Sequence, residues 1–359
     1  MVSLGVNRPY VVVLLIPTGI GASIGGYAGD AIPIARSLAA VVDCLITHPN
    51  VLNGAQLYGS ASNILYVEGY GLDQFASGMW GLRPVHQNRV GLLLDQGIEP
   101  ELRIRHLQAA DAVRATLGVS MTDYALTDTP LDVGLHLSSS GAAWGTIANP
   151  DSLLRGAEKL IRDGGAEAIA VVSRFPDEPN SPSLQAYRHG QGVDHLAGAE
   201  AVISHLVVRT FHIPCAHAPA LQPLPLDLDL APRSAAEELG YTFLPSVLVG
   251  LNRAPQFITQ SPLRPVDTID GLWANQVDAV VVPDSACGGS AVLNFSHSAT
   301  RLITVTENQT QMAVFPNQLQ LPALRLNSYL EVIGAIAAHR AGVNVETLVS
   351  NLSSIKPIP

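Results

Sequence analysis

Residues 10–17 read YVVVLLIP, an unbroken run of β-branched and aliphatic side chains closed by Pro17 and followed by Thr18-Gly19. A strand with one wet face alternates apolar and polar residues. A run with no polar position is buried on both faces, the habit of a parallel sheet covered by helices. Working outward, Ala31–Val42 has helical spacing, and Cys44–Thr47 is a short strand ending in His48-Pro49. Asn63–Glu68 and Val90–Leu94 are further strands. Glu101–Leu117 is the clearest helix of the first third, with Leu102, Leu107, Ala110, Val113 and Leu117 on one stripe. Strands alternating with helices predict an α/β fold with a mostly parallel sheet and helices on both faces.

The middle of the chain repeats the theme. Asn149-Pro150-Asp151-Ser152 offers capping chemistry for a helix over Leu153–Arg162, Gly164-Gly165 stops it, and Ala168–Ser173 is a strand. Phe175–His189 is polar and rich in proline and reads as an exposed loop, and Ala197–Val208 as a helix. Residues 218–233 (APALQPLPLDLDLAPR) have no period and read as a linker, clamp or lid. In the last third Ala279–Pro283 and Leu302–Thr306 are strands, and Leu326–Ala341 is a helix with Tyr329, Ile333, Ile336 and Ala337 on one stripe, ending at Gly342. The expected organisation is two lobes around a cleft, residues 1–148 and 149–359, meeting near 147–151.

Composition narrows the partners. The chain has 359 residues, 47% of them hydrophobic and only 14% charged, so a sizeable core is expected. No apolar run approaches the roughly 20 residues of a membrane span, and neither a span nor a secretory signal is expected. Twenty basic residues against thirty acidic ones give a net charge of −10, with no basic patch, which argues against nucleic acid. Lys159 and Lys356 are the only lysines, so lysine-based catalysis has little to draw on. Three scattered cysteines, Cys44, Cys215 and Cys287, make no disulfide framework and point to a cytoplasmic setting. So apolar a chain is also suited to burying surface between identical subunits, as a homo-oligomer would.

Four loops concentrate the polar chemistry. PTGIGASIGGYAGD (17–30) follows the strongest strand, and Gly19, Gly21, Gly25 and Gly26 with Asp30 are read as a cradle for an anion. Its GxGxxxG spacing is one residue longer than a dinucleotide fingerprint, and Asp43 precedes the second strand where a ribose-binding acid should end it. A dinucleotide-dependent oxidoreductase is therefore an alternative only, and no cofactor is assigned. In Thr47–Gly54, His48 is an acid/base candidate, and Asn50 and Asn53 are either amide donors to a ligand or caps of the next helix.

In PDSACGGS (283–290), Cys287 at the start of a helix is a candidate nucleophile or acid/base, with Asp284 as base or orienter. The amides of Gly288, Gly289 and Ser290 could hold an oxyanion. The turn is similar to the cysteine turns of cofactor-independent racemases and epimerases, whose second acid/base Cys215 could supply; the bland alternative is a small buried cysteine. His212-Ile213-Pro214-Cys215-Ala216-His217 matches no common zinc spacing, so no metal site is assigned and His217 is read as a substrate contact. Arg253 is a candidate anion fork, and Glu307-Asn308 marks another polar strand end. Ser138-Ser139-Ser140-Gly141 lacks the Gly-x-Ser-x-Gly elbow of serine hydrolases, and two lysines exclude the repeated Lys–Ser pairs of a ring-opening amidohydrolase.

Together, PTGIGASIGGYAGDA (17–31), THPNVLNGA (47–55), PCAHAPAL (214–221), LPSVLVGLNRAPQF (244–257) and PDSACGGSAVL (283–293) resemble a cyanobacterial and plastid family known as a domain of unknown function, serial 3326. The resemblance implies a cyanobacterial type of source and a cytoplasmic setting, and it brings no activity or catalytic residue. The residues themselves point to a metabolic enzyme acting on a small anionic carboxylate or phosphate. Isomerase or racemase chemistry is the first class, and hydrolysis or lyase chemistry the next. A non-catalytic protein that binds a small ligand is the alternative.

Overall fold

The structure, a computed structural model, describes residues 8–53, 61–139, 141–259, 271–348 and 350–355. Gly54 of the second loop, Ser140 and Lys356 lie outside the described residues. The chain begins with β1 (Val11–Leu14), α1 (Ile32–Ala39), β2 (Cys44–Thr47), α2 (Pro49–Leu52), β3 (Ile64–Tyr66), α3 (Gly69–Ala76) and β4 (Trp80–Arg83). It continues through β5 (Val90–Leu94), α4 (Pro100–Leu117), β6 (Ala125–Leu126), the hairpin β7 (Val133–Leu137) and β8 (Ala143–Ile147), and α5 (Pro150–Arg162). Next come β9 (Ala168–Arg174), α6 (Pro182–Arg188), α7 (Ala197–Phe211), β10 (Cys215–Ala220), α8 (Phe243–Asn252) and β11 (Gln256–Thr259). The last elements are β12 (Ala279–Pro283), α9 (Ser290–Ser296), β13 (Arg301–Val305), β14 (Ala323–Leu326) and α10 (Tyr329–Arg340).

Two parallel sheets organise these elements. The larger runs β14-β13-β12-β1-β2-β3 and the smaller β10-β9-β5-β6, every pairing parallel. In the larger sheet the chain moves outward from β1 to β3, returns to the other side of β1, and moves outward again. This is the strand order of a doubly wound sheet. Each sheet takes strands from both sides of residues 148–149, so the sheets are not sorted along the chain at that point.

β1 explains the arrangement. Val12 and Leu14 enter one apolar cluster with Leu38 of α1 and Ile336 of α10. Val11 and Val13 enter another, on the opposite face, with Phe75 of α3 and Phe295 of α9. A central strand with helices on both faces has no solvent side, and none of its four residues is more than 1% exposed. In the smaller sheet, Leu92 and Ala170 face α4 and α8, while Leu93, Ile169 and Val171 face α5 and α7. The first of these clusters is continuous with the β1 core, so one body of apolar packing joins the two sheets.

Local expectation and structure differ at three places. Phe175–His189 contains α6, capped by Ser181, whose Oγ accepts from the Leu184 N–H, with a proline in its first turn. Residues 323–326 form the edge strand β14, and the last helix starts only after Ser328, whose hydroxyl caps it. The proline-rich stretch begins inside β10, because prolines are tolerated on an edge strand.

Candidate functional site

The carboxyl ends of β1, β2, β3 and β10 converge on one cavity of about 160 Å³, roughed out by Thr18, His48, Glu68 and His217. That is room for roughly ten waters or a metabolite of similar heavy-atom count. α7 forms one wall. Ala197, Glu200, Ala201, Ser204 and His205 all line the cavity, and their three- and four-residue spacing puts them on one helical face. β10 supplies His217 and Pro219, two residues apart and so on one face of the strand. The proline-rich stretch passes alongside through Leu221 and Leu224 and is tied down where Arg188 donates to the Pro225 carbonyl (2.7 Å).

On the α7 wall the side chains form a continuous set. Glu200 Oε2 lies 3.6 Å from His217 Nε2, and His217 Nδ1 lies 3.2 Å from Ser204 Oγ. Ser204 Oγ donates to Glu68 Oε1 (3.5 Å), which also meets His205 Nε2 at 2.9 Å. The other oxygen of Glu68 accepts the N–H groups of Tyr70 and Gly71 and so caps α3, which fixes the carboxylate in place. Burial works against charge on His205, but the hydrogen bond to Glu68 together with the negative charges of Glu68 and Asp73 raises the imidazole's pKa.

Asp194, at the amino-terminal end of α7, and Glu237 also line the cavity. Burial, reinforced by Glu200, pushes both carboxyls up, Glu237 to about 7 and Asp194 well above its usual value. Glu237 Oε1 accepts from the Ala28 N–H (2.6 Å) and from the Tyr187 hydroxyl (2.7 Å), so it joins the glycine loop to α6. The one guanidinium in the lining, Arg188, is held bidentately by Glu238 at 2.9 and 3.0 Å. His195, also in the lining, is buried and its pKa is lowered chiefly by that burial.

Of the residues singled out from sequence, His48, His217, Gly26, Asn50 and Asn53 line the cavity. His48 has a structural duty there: Nε2 accepts the Ile16 N–H at 3.0 Å, and burial lowers its pKa to about 4, which keeps it neutral. Asn50 donates to the carbonyls of Ile16 and Gly25, and Asn53 accepts from the Tyr66 hydroxyl, so both amides staple the loops. Gly19, Gly21, Gly25 and Asp30 do not line the cavity. The N–H groups of Ser23, Ile24, Gly25 and Ala28 are taken by Gln309, Asn308, Asp30 and Glu237, two of them by carboxylates. An anion there would compete with the protein's own acids, which removes the support for phosphate or dinucleotide binding at this loop. Gly25 serves the turn itself, with φ +88° and space for no Cβ beside Ile16.

The cysteine turn lies apart. Cys287 is fully buried with Val282 and Phe295, and Cys215 belongs to a different apolar cluster beneath α7. The two thiols do not share a site. Burial, with Asp284 adding to it, pushes the Cys287 thiol up to about 12, opposite to the activation a helix start would give. Asp284 is taken by Arg325, at 2.6 and 3.0 Å, and by the Thr304 hydroxyl at 2.7 Å. Gly288, Gly289 and Ser290 open the seven-residue α9, Arg253 is exposed near the end of α8, and none of them reaches the cavity. Asn308 is buried and staples Ile24, and Glu307 accepts from the Tyr329 N–H.

Sequence reasoning missed Glu68, Asp194, His195, Glu200, Ser204, His205 and Glu237. The readable signal was in α7, where Glu200, Ser204 and His205 interrupt an otherwise apolar helix on one face. Among the described residues, no cluster of three or more His, Cys, Asp or Glu side chains is suited to holding a metal ion, and no helix is long and apolar enough to cross a membrane.

The fold and cavity define the class: an α/β protein of two parallel sheets with an acid–imidazole cavity at their carboxyl ends. Residues 11–349 match the family model described as Protein of unknown function (DUF3326), and the chain belongs to that family. A cyanobacterial relative from Synechococcus sp., named an uncharacterized lipoprotein, is 54% identical over 342 residues, covering 95% of this chain and 94% of the relative. No solved structure matches the chain.

Proposed function

We propose that this protein is an enzyme of small-molecule metabolism that transfers protons inside the acidic cavity, with His217 as the proton-moving group and Glu200 as its partner. The observation that carries this reading is the set Glu200–His217–Ser204–Glu68–His205 along one wall. An imidazole between a carboxylate and a hydroxyl can take a proton and keep the resulting charge balanced. Asp194 and Glu237 line the same cavity and burial raises both carboxyls, so groups that favour the protonated form share one space with the imidazole. That arrangement suits isomerisation or racemisation first and lyase chemistry next. Acyl transfer is disfavoured, because Ser204 lies within α7, where the neighbouring amides are engaged in the helix ladder rather than grouped as an oxyanion site.

The substrate class differs from the anion expected from the loops. Five carboxyl groups, Glu68, Asp194, Glu200, Glu237 and Glu238, line the cavity against one arginine that is already paired. Such a lining favours an uncharged or cationic polar metabolite. A cytoplasmic setting remains our reading, supported by three free thiols.

Incubating the protein with a mixture of small polar metabolites in heavy water and following deuterium uptake and conversion by mass spectrometry tests the reading. Uptake with the native chain that is lost in His217→Gln is expected. No uptake or conversion of any component, or full retention in the variant, would sink it.

A further inference from the structure

A second cavity, of about 610 Å³, abuts the first. Pro219, Leu221, Leu224, Glu237 and Glu238 line both, so the two cavities adjoin along the end of β10, the proline-rich stretch and the short helix at 237–242. On the far side the lining changes character. Leu102 and Ala109 of α4 and Pro223 join the shared leucines and proline, while Arg105, Gln108 and Gln222 stand around them. His106 is buried, Nδ1 lies 2.8 Å from the Leu102 carbonyl, and burial lowers the imidazole's pKa. An apolar hollow of this size that no side chain of the protein fills leaves its lining without packing partners, which a ligand can supply.

We propose that the second cavity holds the apolar arm of an elongated ligand whose polar head sits among the acids of the first; the ligand class is an amphiphile with an uncharged or cationic head. The proposal rests on the acid–imidazole cavity being the site of the polar head, as argued above. It adds that specificity for chain length lies in α4 and the proline-rich stretch, away from His217. Charge complementarity at the head selects a cation-tolerant group, and the apolar lining beyond Leu221 and Leu224 selects a hydrocarbon arm.

Straight-chain primary amines from butyl to decyl, titrated calorimetrically into the full chain, test it. Affinity is expected to rise about fourfold with each methylene that enters the second cavity. Ala109→Trp fills that cavity from α4, and Leu102→Glu puts a charge on its wall; both positions line the second cavity and not the first. Either is expected to flatten the dependence on chain length while leaving butylamine affinity unchanged. His217→Gln, which ends deuterium exchange under the proposed function, is expected to leave the dependence intact, so the two ideas fail separately. No binding of any amine, equal affinity at all lengths in the native chain, or an undiminished dependence in both cavity variants would overturn the proposal.

Discussion

His217 and Glu200 meet at 3.6 Å across the wall of the cavity, one from the edge strand of the smaller sheet and the other from the helix that precedes it. Under the proposed function, this contact pairs the proton-moving imidazole with its partner carboxylate. Glu200→Gln and His217→Gln are each expected to lower turnover about 10²- to 10⁴-fold, the usual worth of a positioned acid/base group, with the circular dichroism spectrum unchanged. Full activity in either variant would remove the pair from the mechanism.

Cys287 is expected to be chemically quiet. Its thiol is buried and pushed up to about 12, so iodoacetamide at pH 7 should leave it unmodified in the folded protein and label it after unfolding in denaturant. Cys287→Ala should keep activity while lowering stability by about 1–2 kcal/mol, as for a small buried apolar group. Rapid labelling of the native thiol, read by intact mass, would contradict this.

Glu237 should make stability fall as pH rises. The unfolded chain releases this proton near 4.5, whereas burial holds it in the folded protein up to about 7. Its contribution is complete below the lower value, is lost between the two, and changes no further once both states are ionised. The loss is on the order of 3 kcal/mol. Glu237→Gln keeps an acceptor for Ala28 and Tyr187 but cannot titrate, so urea midpoints measured from pH 4.5 to 7 should decline less in the variant. An equal decline would assign the effect to other groups.

Gly25→Ala is expected to cost about 2–4 kcal/mol, combining the left-handed backbone with overpacking. The residue has φ +88°, and an added Cβ would stand 2.6 Å from Ile16 Cγ2. Since Gly25 does not line the cavity, any folded variant should retain turnover, which a ligand-cradling glycine would not allow.

Much of the architecture was legible because it rests on local pattern. The unbroken run at 10–17 identified a strand with no wet face, and the spacing of Leu102, Ala110 and Val113 identified α4 nearly to its ends. His217 was legible as a candidate because an imidazole stands out among small apolar residues, and it does line the cavity. Glu68 and Asp194 were not, since an acid in a loop reads as a solvated residue until burial is known. The cysteine turn misled for the same reason. A thiol at a helix start is activated only when it reaches solvent or a cation, and Phe295 and Val282 surround this one.

By itself, then, the sequence determined the parallel α/β character, the central place of β1, the net charge of −10 and the positions of the polar loops. Those follow from side-chain periodicity and charge, which act over a few residues or over the whole composition. Only the tertiary structure decided that the ends of β2, β3 and β10 face one another, that α7 turns Glu200, Ser204 and His205 toward His217, and that four amides of the glycine loop are taken by the protein's own acceptors, two of them carboxylates. Periodicity tells a side chain which face of its own element it occupies. Which distant residue it meets, and how much water is left around it, is set by long-range packing.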